Sequence, residues 1–244
     1  MNRSKLLVEA EPAPPRRWGL GAYLLVEAVF LVTSALLVLP FIGPGHGPPP
    51  AEALLISLTV PTMLSAGTAV LVTCVRGNGP RLDLGLRFAR DDLRQGFGYG
   101  CAGLLLSLPA AALWSSVVGA DKSSSAVAQL FVGQRFSIPL AIGVFLAVWL
   151  VSPICEEIVY RGLLWAAMER IGANQWWAFG LTTLLFALAH FEFTRTPLLL
   201  VISVPIGMAR LATGRLGTSI VAHQVNNFLP ALSLLLMLLG VTKV

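Results

Sequence analysis

The chain has 244 residues, of which 56% are hydrophobic and only 12% are charged, and its mean hydropathy is +0.78. A soluble domain carries about 25% charged residues, because its surface must meet water. These proportions exclude a soluble globular enzyme, a disordered chain and a disulfide-rich secreted domain. The excess of Lys and Arg, 17 against 12 Asp and Glu, then indicates the cytoplasmic loops of a membrane protein, and we expect no nucleic-acid partner.

The hydrophobic runs predict the architecture in chain order. Residues 1–18 contain EPAPPRR and are predicted to form a flexible cytoplasmic tail. A helix needs about 20 mostly apolar residues to cross the hydrocarbon layer. Runs of this kind cover residues 19–42, 52–75, 96–119, 137–171, 176–193, 197–213, 216–229 and 230–242. The sequence therefore predicts an all-α fold, a polytopic transmembrane helical bundle of about eight helices, with residues 19–244 as a single transmembrane domain.

The basic residues indicate which side each loop faces. With the N-terminus in the cytoplasm, 14 of the 17 Lys and Arg fall in the segments assigned to the inside. The positive-inside rule therefore predicts a cytoplasmic N-terminus and, with eight spans, a cytoplasmic C-terminus. The last two runs are short and divided by Pro230, so a count of seven stays open. We expect the plasma membrane of a bacterium as the location.

Residues 76–95 lie between two runs and carry five arginines among leucines and a phenylalanine. This composition is typical of a connector that lies on the membrane surface with its arginines at the lipid headgroups. A solvated basic loop fits the same composition. The lipid bilayer itself is in either case a partner of the chain.

Charged side chains inside apolar runs are expensive, at about 2.5–3.5 kcal/mol each near the bilayer centre, and are therefore functional candidates. Glu156, Glu157 and Arg161 share one run, and His190 and His223 lie in two others. Glu157 and Arg161 are four residues apart in the order that favours an ion pair on a helix. Glu156 lies about 100° away round the same helix, so it is free to face another group.

Helical spacing predicts that these residues share one site. Runs 137–171 and 176–193 form a helical hairpin, in which Glu156 and His190 are equally distant from the turn and hence equally deep. His223 and Asn227 are four residues apart, so their side chains point the same way. Pro153 cannot donate a backbone hydrogen bond, and we expect a kink there that frees the carbonyls of residues 149–150.

The chemistry of this set fits hydrolysis of a peptide bond within the membrane. A carboxylate and a histidine can bind and deprotonate water, and a second histidine with an amide can stabilise an oxyanion. Alternatively, Glu156, His190 and His223 could supply the three protein ligands of a catalytic zinc. The sequence has no GxSxG or HExxH motif, and Ser152 and Cys155 have no evident base.

Two other classes of function stay open at this point. Buried Glu and His side chains also relay protons in proton-coupled transporters, although no internal repeat of the kind common in transporters is evident. A polar cluster can also hold together the helices of a non-catalytic immunity or partner protein.

Three motifs, taken in order on successive hydrophobic runs, resemble those of the CPBP family. They are EExxxR at 156–161, FxxxH at 186–190 and HxxxN at 223–227. CPBP proteins are the CAAX-protease and bacteriocin-processing intramembrane proteases, also called the ABI family. The likeness covers about residues 135–235, which would be the catalytic core. It implies an intramembrane endopeptidase that acts on a membrane-associated protein or peptide.

The resemblance also implies a role for each motif residue. Glu156 would be the general base on the attacking water, together with His190, and His223 and Asn227 would form the oxyanion hole. The second glutamate and the arginine of EExxxR would organise the site. The family is described both as metal-dependent and as glutamate-dependent, so the cofactor is either Zn²⁺ or another divalent metal, or none. The resemblance fixes neither a prenylated substrate nor an oligomeric state.

Overall fold

The computed structural model describes residues 16–41 and 49–242, and every regular element in these ranges is helical. The predicted all-α bundle is thereby confirmed. Six helices in the described ranges are long and apolar enough to cross a membrane, and a seventh, shorter helix is also apolar. Helices of this number, length and composition are those of a multi-pass membrane protein.

The helices have the following bounds. In chain order they are α1 (Leu20–Val38), α2 (Ala51–Arg76), α3 (Pro80–Asp83), α4 (Arg90–Val118), α5 (Ala120–Ser123), α6 (Ala126–Phe131), α7 (Ile138–Leu146), α8 (Ser152–Glu157), α9 (Trp165–Arg170), α10 (Gln175–Leu188), α11 (Thr196–Thr213) and α12 (Leu216–Leu238). The turn Leu39–Phe41 extends α1 as a 3₁₀ helix. Two π-helical segments, Ala147–Val151 and Ile158–Leu164, join α7, α8 and α9 into one segmented helix, Ile138–Arg170.

The predicted break at Pro230 is wrong, because α12 continues through this residue to Leu238. Proline removes one backbone donor, but membrane helices tolerate it where neighbouring groups restore the hydrogen bonding. Helices α2, α4 and α11 each contain an internal proline as well.

The end of α12 lies beside the start of the segmented helix, since the Phe136 N–H donates to the Leu238 carbonyl at 3.2 Å. The last two predicted runs therefore form one helix, in agreement with the alternative count of seven, and the side of the membrane on which the C-terminus lies stays a prediction.

One end of the bundle, which we call the basic end, gathers arginines around the entries to α1, α4 and α12. Arg170 donates to the Trp18 carbonyl, and Arg215 Nε lies 2.8 Å from an Asp92 oxygen. The Trp18 indole is buried and donates to Asp83 at 2.8 Å. The predicted flexible tail therefore ends earlier than residue 18, while residues 1–15 lie outside the described residues. The cytoplasmic N-terminus stays a prediction, with which this clustering agrees.

Glycines on α4 let this helix approach α12 closely. Added Cβ atoms at Gly96 and Gly100 would lie 2.5 Å from Val221 Cβ and Val225 Cβ respectively. At Gly103 an added Cβ would lie 2.2 Å from the Asn226 amide nitrogen. Small residues allow such approach, and close approach supplies the van der Waals contact that holds membrane helices together. Helix α12, which carries His223, is thereby fixed against α4.

We expect Gly100→Ala to lower the melting temperature of the protein in detergent, because the new methyl group collides with Val225 on α12. Gly98→Ala is the matched control, since nothing lies within 4 Å of a Cβ at that exposed position. In the helix interior, alanine is favoured over glycine by about 1 kcal/mol. Equal melting temperatures for the two variants would contradict the close packing.

Candidate active site

The segmented helix presents Glu156 and Glu157 on a short α-helical stretch between two π-helical segments. In the first π segment the Ser152 N–H donates five residues back, to the Ala147 carbonyl. The next donor in this register would be Pro153, which has no N–H, and its partner would be the Val148 carbonyl. A freed acceptor therefore lies at Val148, one residue before the range 149–150 expected from the sequence, because the π register moves the partner of Pro153 back by one residue.

The Val148 carbonyl is used by a site residue. The Asn227 amide of α12 donates to it through Nδ2 at 3.3 Å. An amide nitrogen carries two hydrogens, so the contact orients Asn227 and leaves it one N–H for another acceptor. Pro153 and Asn227 thus act together, since the proline creates the acceptor that positions the amide.

Glu157 lies at the centre of the polar cluster and is fully buried, as is Arg161. Arg161 Nη1 donates to Glu157 Oε1 at 3.0 Å, which confirms the geometry expected of residues four apart. The second Arg161 amino group donates to the Ser203 hydroxyl of α11 at 2.5 Å. Buried charges are tolerated when they are paired and hydrogen-bonded in this way. The ion pair therefore ties the segmented helix to α11.

The same Glu157 oxygen also binds His223, whose Nδ1 lies 2.9 Å from it. A carboxylate only accepts, so Nδ1 carries the hydrogen and the imidazole orientation is fixed. The other ring nitrogen, Nε2, then faces Glu156 and lies 3.7 Å from its Oε2. The Glu156 side chain is 24% exposed, whereas the Glu157 side chain is fully buried. The two adjacent carboxylates thus have different environments, since Glu157 is buried in the bundle and Glu156 is partly exposed.

His190 lies in a turn just beyond the end of α10, rather than inside a helical run as the sequence suggested. Its Nδ1 lies 2.8 Å from the Phe186 carbonyl, one of the acceptors that the end of α10 leaves without an intrahelical partner. A carbonyl only accepts, so His190 presents an unprotonated Nε2 when the ring is neutral. His190 is exposed, so this nitrogen is available to water.

Phe186 connects the two histidines. Its ring centroid lies 4.8 Å from that of His190 and 5.6 Å from that of His223, both in edge contacts. The Arg161 guanidinium lies 4.6 Å above the same ring, a cation–π contact. The phenylalanine of the FxxxH motif therefore packs against the buried Arg161 and against both histidines.

The structure joins Arg161, Glu157, His223 and Glu156 in one continuous polar cluster, and Phe186 brings His190 to its edge. Within the described ranges, His190 forms no ion pair with Glu156. Ser203 and the Val148 carbonyl are site groups that the sequence reasoning missed. A serine in an apolar run gives a weak signal, and a backbone carbonyl gives none.

The proposed metal ligands Glu156, His190 and His223 do not come together as a metal centre. Among the residues that the structure describes, no three His, Cys, Asp or Glu side chains stand close enough to hold one ion. The arrangement therefore does not fit a three-ligand site, and the metal hypothesis stays a prediction.

The part of the chain that carries the site matches a known family model. Residues 138–229 match the family model described as type II CAAX prenyl endopeptidase Rce1-like. This match confirms the resemblance to the CPBP family, and at the level of the family it supports an intramembrane endopeptidase. It covers all six predicted site residues and falls within the predicted core, 135–235. Neither the curated proteins nor the solved structures contain a match to the chain.

We expect Glu157→Gln to destabilise the protein strongly, because it leaves Arg161 as a buried, unpaired cation, at a cost of about 3–5 kcal/mol. The measurement is thermal unfolding in detergent, followed by tryptophan fluorescence. Glu156→Gln is the matched control, since the Glu156 side chain is partly exposed and lies 3.7 Å from its ion-pair partner, His223 Nε2, so it makes no close hydrogen bond to a buried group. Melting temperatures that agree within error would contradict the structural role of Glu157.

Proposed function

We propose that this chain, whose residues 138–229 form an Rce1-like region, is an intramembrane endopeptidase of the bacterial plasma membrane. Its substrate would be a membrane-associated protein or peptide. The reaction adds water across one peptide bond and yields a carboxylate and an amine. The observation that carries the proposal is the Glu157 carboxylate, which orients His223 so that its free nitrogen and Glu156 face each other.

Glu156 would be the general base. It is the partly exposed member of the pair, whereas Glu157 is committed to Arg161 and His223. Glu156 would take a proton from a water molecule as the oxygen attacks the scissile carbonyl, and would later give that proton to the leaving amine. His190 would hold the same water through its unprotonated Nε2, since its other nitrogen is held by the Phe186 carbonyl.

His223 and Asn227 would stabilise the oxyanion. Since Nδ1–H of His223 is committed to Glu157, only a protonated ring can donate through Nε2. That cation also balances the charges of the cluster, because Arg161 and His223 then match the two glutamates. The second donor would be the Asn227 amide, whose other hydrogen is held by Val148. Donors fixed in advance lower the barrier because they need not reorganise during the reaction.

We propose the glutamate-dependent form of this chemistry, because the described side chains do not assemble a three-ligand metal centre. In this form the protein residues alone activate the water. A Zn²⁺ or other divalent ion would require Glu156, His190 and His223 to rearrange. The two forms make opposite predictions about chelation.

Replacing Glu156 by Gln is expected to leave the fold intact and to lower cleavage by about 10³-fold or more, since the general base is lost. Membrane and secreted protein termini would be compared between host strains that carry the wild-type gene or Glu156→Gln at matched expression. Termini present only in the wild-type strain would identify the substrate. The same substrate would then be cleaved with purified protein, in which retained activity of Glu156→Gln would overturn the assignment.

Treatment with a strong zinc chelator is expected to leave the cleavage rate of the purified enzyme unchanged, because no described ligand set requires a metal ion. The rate would be measured on the identified substrate before and after chelation and dialysis. A known zinc protease treated in parallel controls for effective removal. Loss of activity that returns on adding Zn²⁺ would replace the glutamate-dependent form by the metal-dependent one.

A further inference from the structure

The connector between α2 and α4 has two chemically different faces. Its outer face, continued onto the first turns of α4, is exposed and combines arginines with apolar side chains. We call this the connector surface; it consists of Arg81, Leu82, Arg87, Phe88, Arg90, Leu93 and Arg94. The acidic side chains Asp83 and Asp92 are buried. The exposed Asp91 offsets only one of the four arginines, so the surface stays positively charged.

The inner face of the connector is held in place by buried contacts. The Asp83 carboxylate accepts from the Trp18 indole at 2.8 Å and from the Asn78 backbone N–H at 3.0 Å. Asp92 accepts from the Thr218 hydroxyl of α12 at 2.6 Å. The arginines on the outer face therefore project from a fixed backbone at the basic end, rather than from a free loop.

The connector also contacts the segmented helix immediately after the catalytic motif. Leu84 is fully buried, and its Cβ lies 3.3 Å from the position that a Cβ on Gly162 would take. The next residue, Gly85, has φ of +69°, and an added Cβ there would lie 3.0 Å from the Arg210 guanidinium. A side chain at residue 85 is excluded both by this backbone conformation and by Arg210. The connector is thus packed directly against the residue that follows Arg161.

We propose that the connector surface binds the headgroups of anionic phospholipids, and that this contact holds the connector against the catalytic helix. The surface adjoins membrane-spanning helices, so its natural neighbour is the bilayer. Leu82 is 53% exposed and Phe88 62%, and apolar side chains between arginines suit insertion at the headgroup boundary. An acidic protein would satisfy the arginines but not these apolar side chains. Anionic lipids would satisfy both, since their phosphate groups pair with the arginines and their acyl chains contact the apolar side chains.

Lipid selectivity can be measured on the full chain in nanodiscs of mixed composition. The probes are spin-labelled phosphatidylglycerol and phosphatidylcholine, and the readout is the ratio of immobilised label. We expect wild type to prefer phosphatidylglycerol, by up to about fivefold for each arginine engaged. The preference should fall at about 1 M salt, where the Debye length is about 3 Å. Arg81→Gln/Arg87→Gln/Arg90→Gln should remove most of it.

Three controls make the result specific. Arg81→Lys/Arg87→Lys/Arg90→Lys keeps the charge and should keep the preference, and Lys122→Gln, an exposed site on α5, should not alter it. Free inorganic phosphate should not displace the lipid, since it lacks the acyl chains. An unchanged preference in the triple Gln variant overturns the proposal. Displacement of the phosphatidylglycerol label from the mixed nanodiscs by an acidic peptide also overturns the proposal, in favour of a protein partner.

The link to catalysis rests on the proposed function and is tested separately. Cleavage of the identified substrate should be faster in phosphatidylglycerol than in phosphatidylcholine vesicles, and the triple Gln variant should lose this difference. If wild type fails to cleave in any lipid, the proposed function fails while the binding experiment still decides the lipid site. If cleavage is equal in both lipids while binding is selective, the coupling through Leu84 is wrong.

Discussion

One carboxylate oxygen organises the candidate active site. Glu157 Oε1 accepts from Arg161 at 3.0 Å and from His223 Nδ1 at 2.9 Å, and so joins the segmented helix to α12. In a buried setting each of these groups would be costly alone, because a charge without a partner is strongly disfavoured there. The three are therefore stable only together. The consequence is an imidazole held in one orientation before any substrate arrives, with its free nitrogen toward Glu156.

The irregularities of the segmented helix complete this arrangement. A regular α-helix would satisfy its own carbonyls and leave Asn227 without its acceptor. The π register and Pro153 combine to free the Val148 carbonyl, and Asn227 binds it at 3.3 Å. Similarly, α10 ends two residues after Phe186, so that the Phe186 carbonyl is free to bind His190. One histidine and one amide are thus positioned by backbone acceptors that arise from departures from helical regularity.

The sequence predicted the elements whose signals are local. The length of the apolar runs predicted most of the helices, and the four-residue spacing predicted the ion pair between Glu157 and Arg161. It missed features that depend on neighbouring helices. Pro230 looked like a boundary because proline breaks isolated helices, yet α12 continues through it. The π register is invisible in the residues, so the freed carbonyl was expected at 149–150. Trp18 looked like part of a tail, because nothing near it in sequence reveals the Asp83 that binds it.

The short helix α10 has a mechanical consequence for the surrounding bilayer. Its 14 residues span about 21 Å at 1.5 Å per residue, against a hydrocarbon thickness of about 30 Å. Lipids beside α10 must thin or tilt to match it, which costs a fraction of a kcal/mol per ångström. His190 lies just beyond the end of this helix, so a local dip in the membrane would bring the water phase toward the histidine. Hydrolysis inside a bilayer needs such a route, and here the length of one helix would provide it.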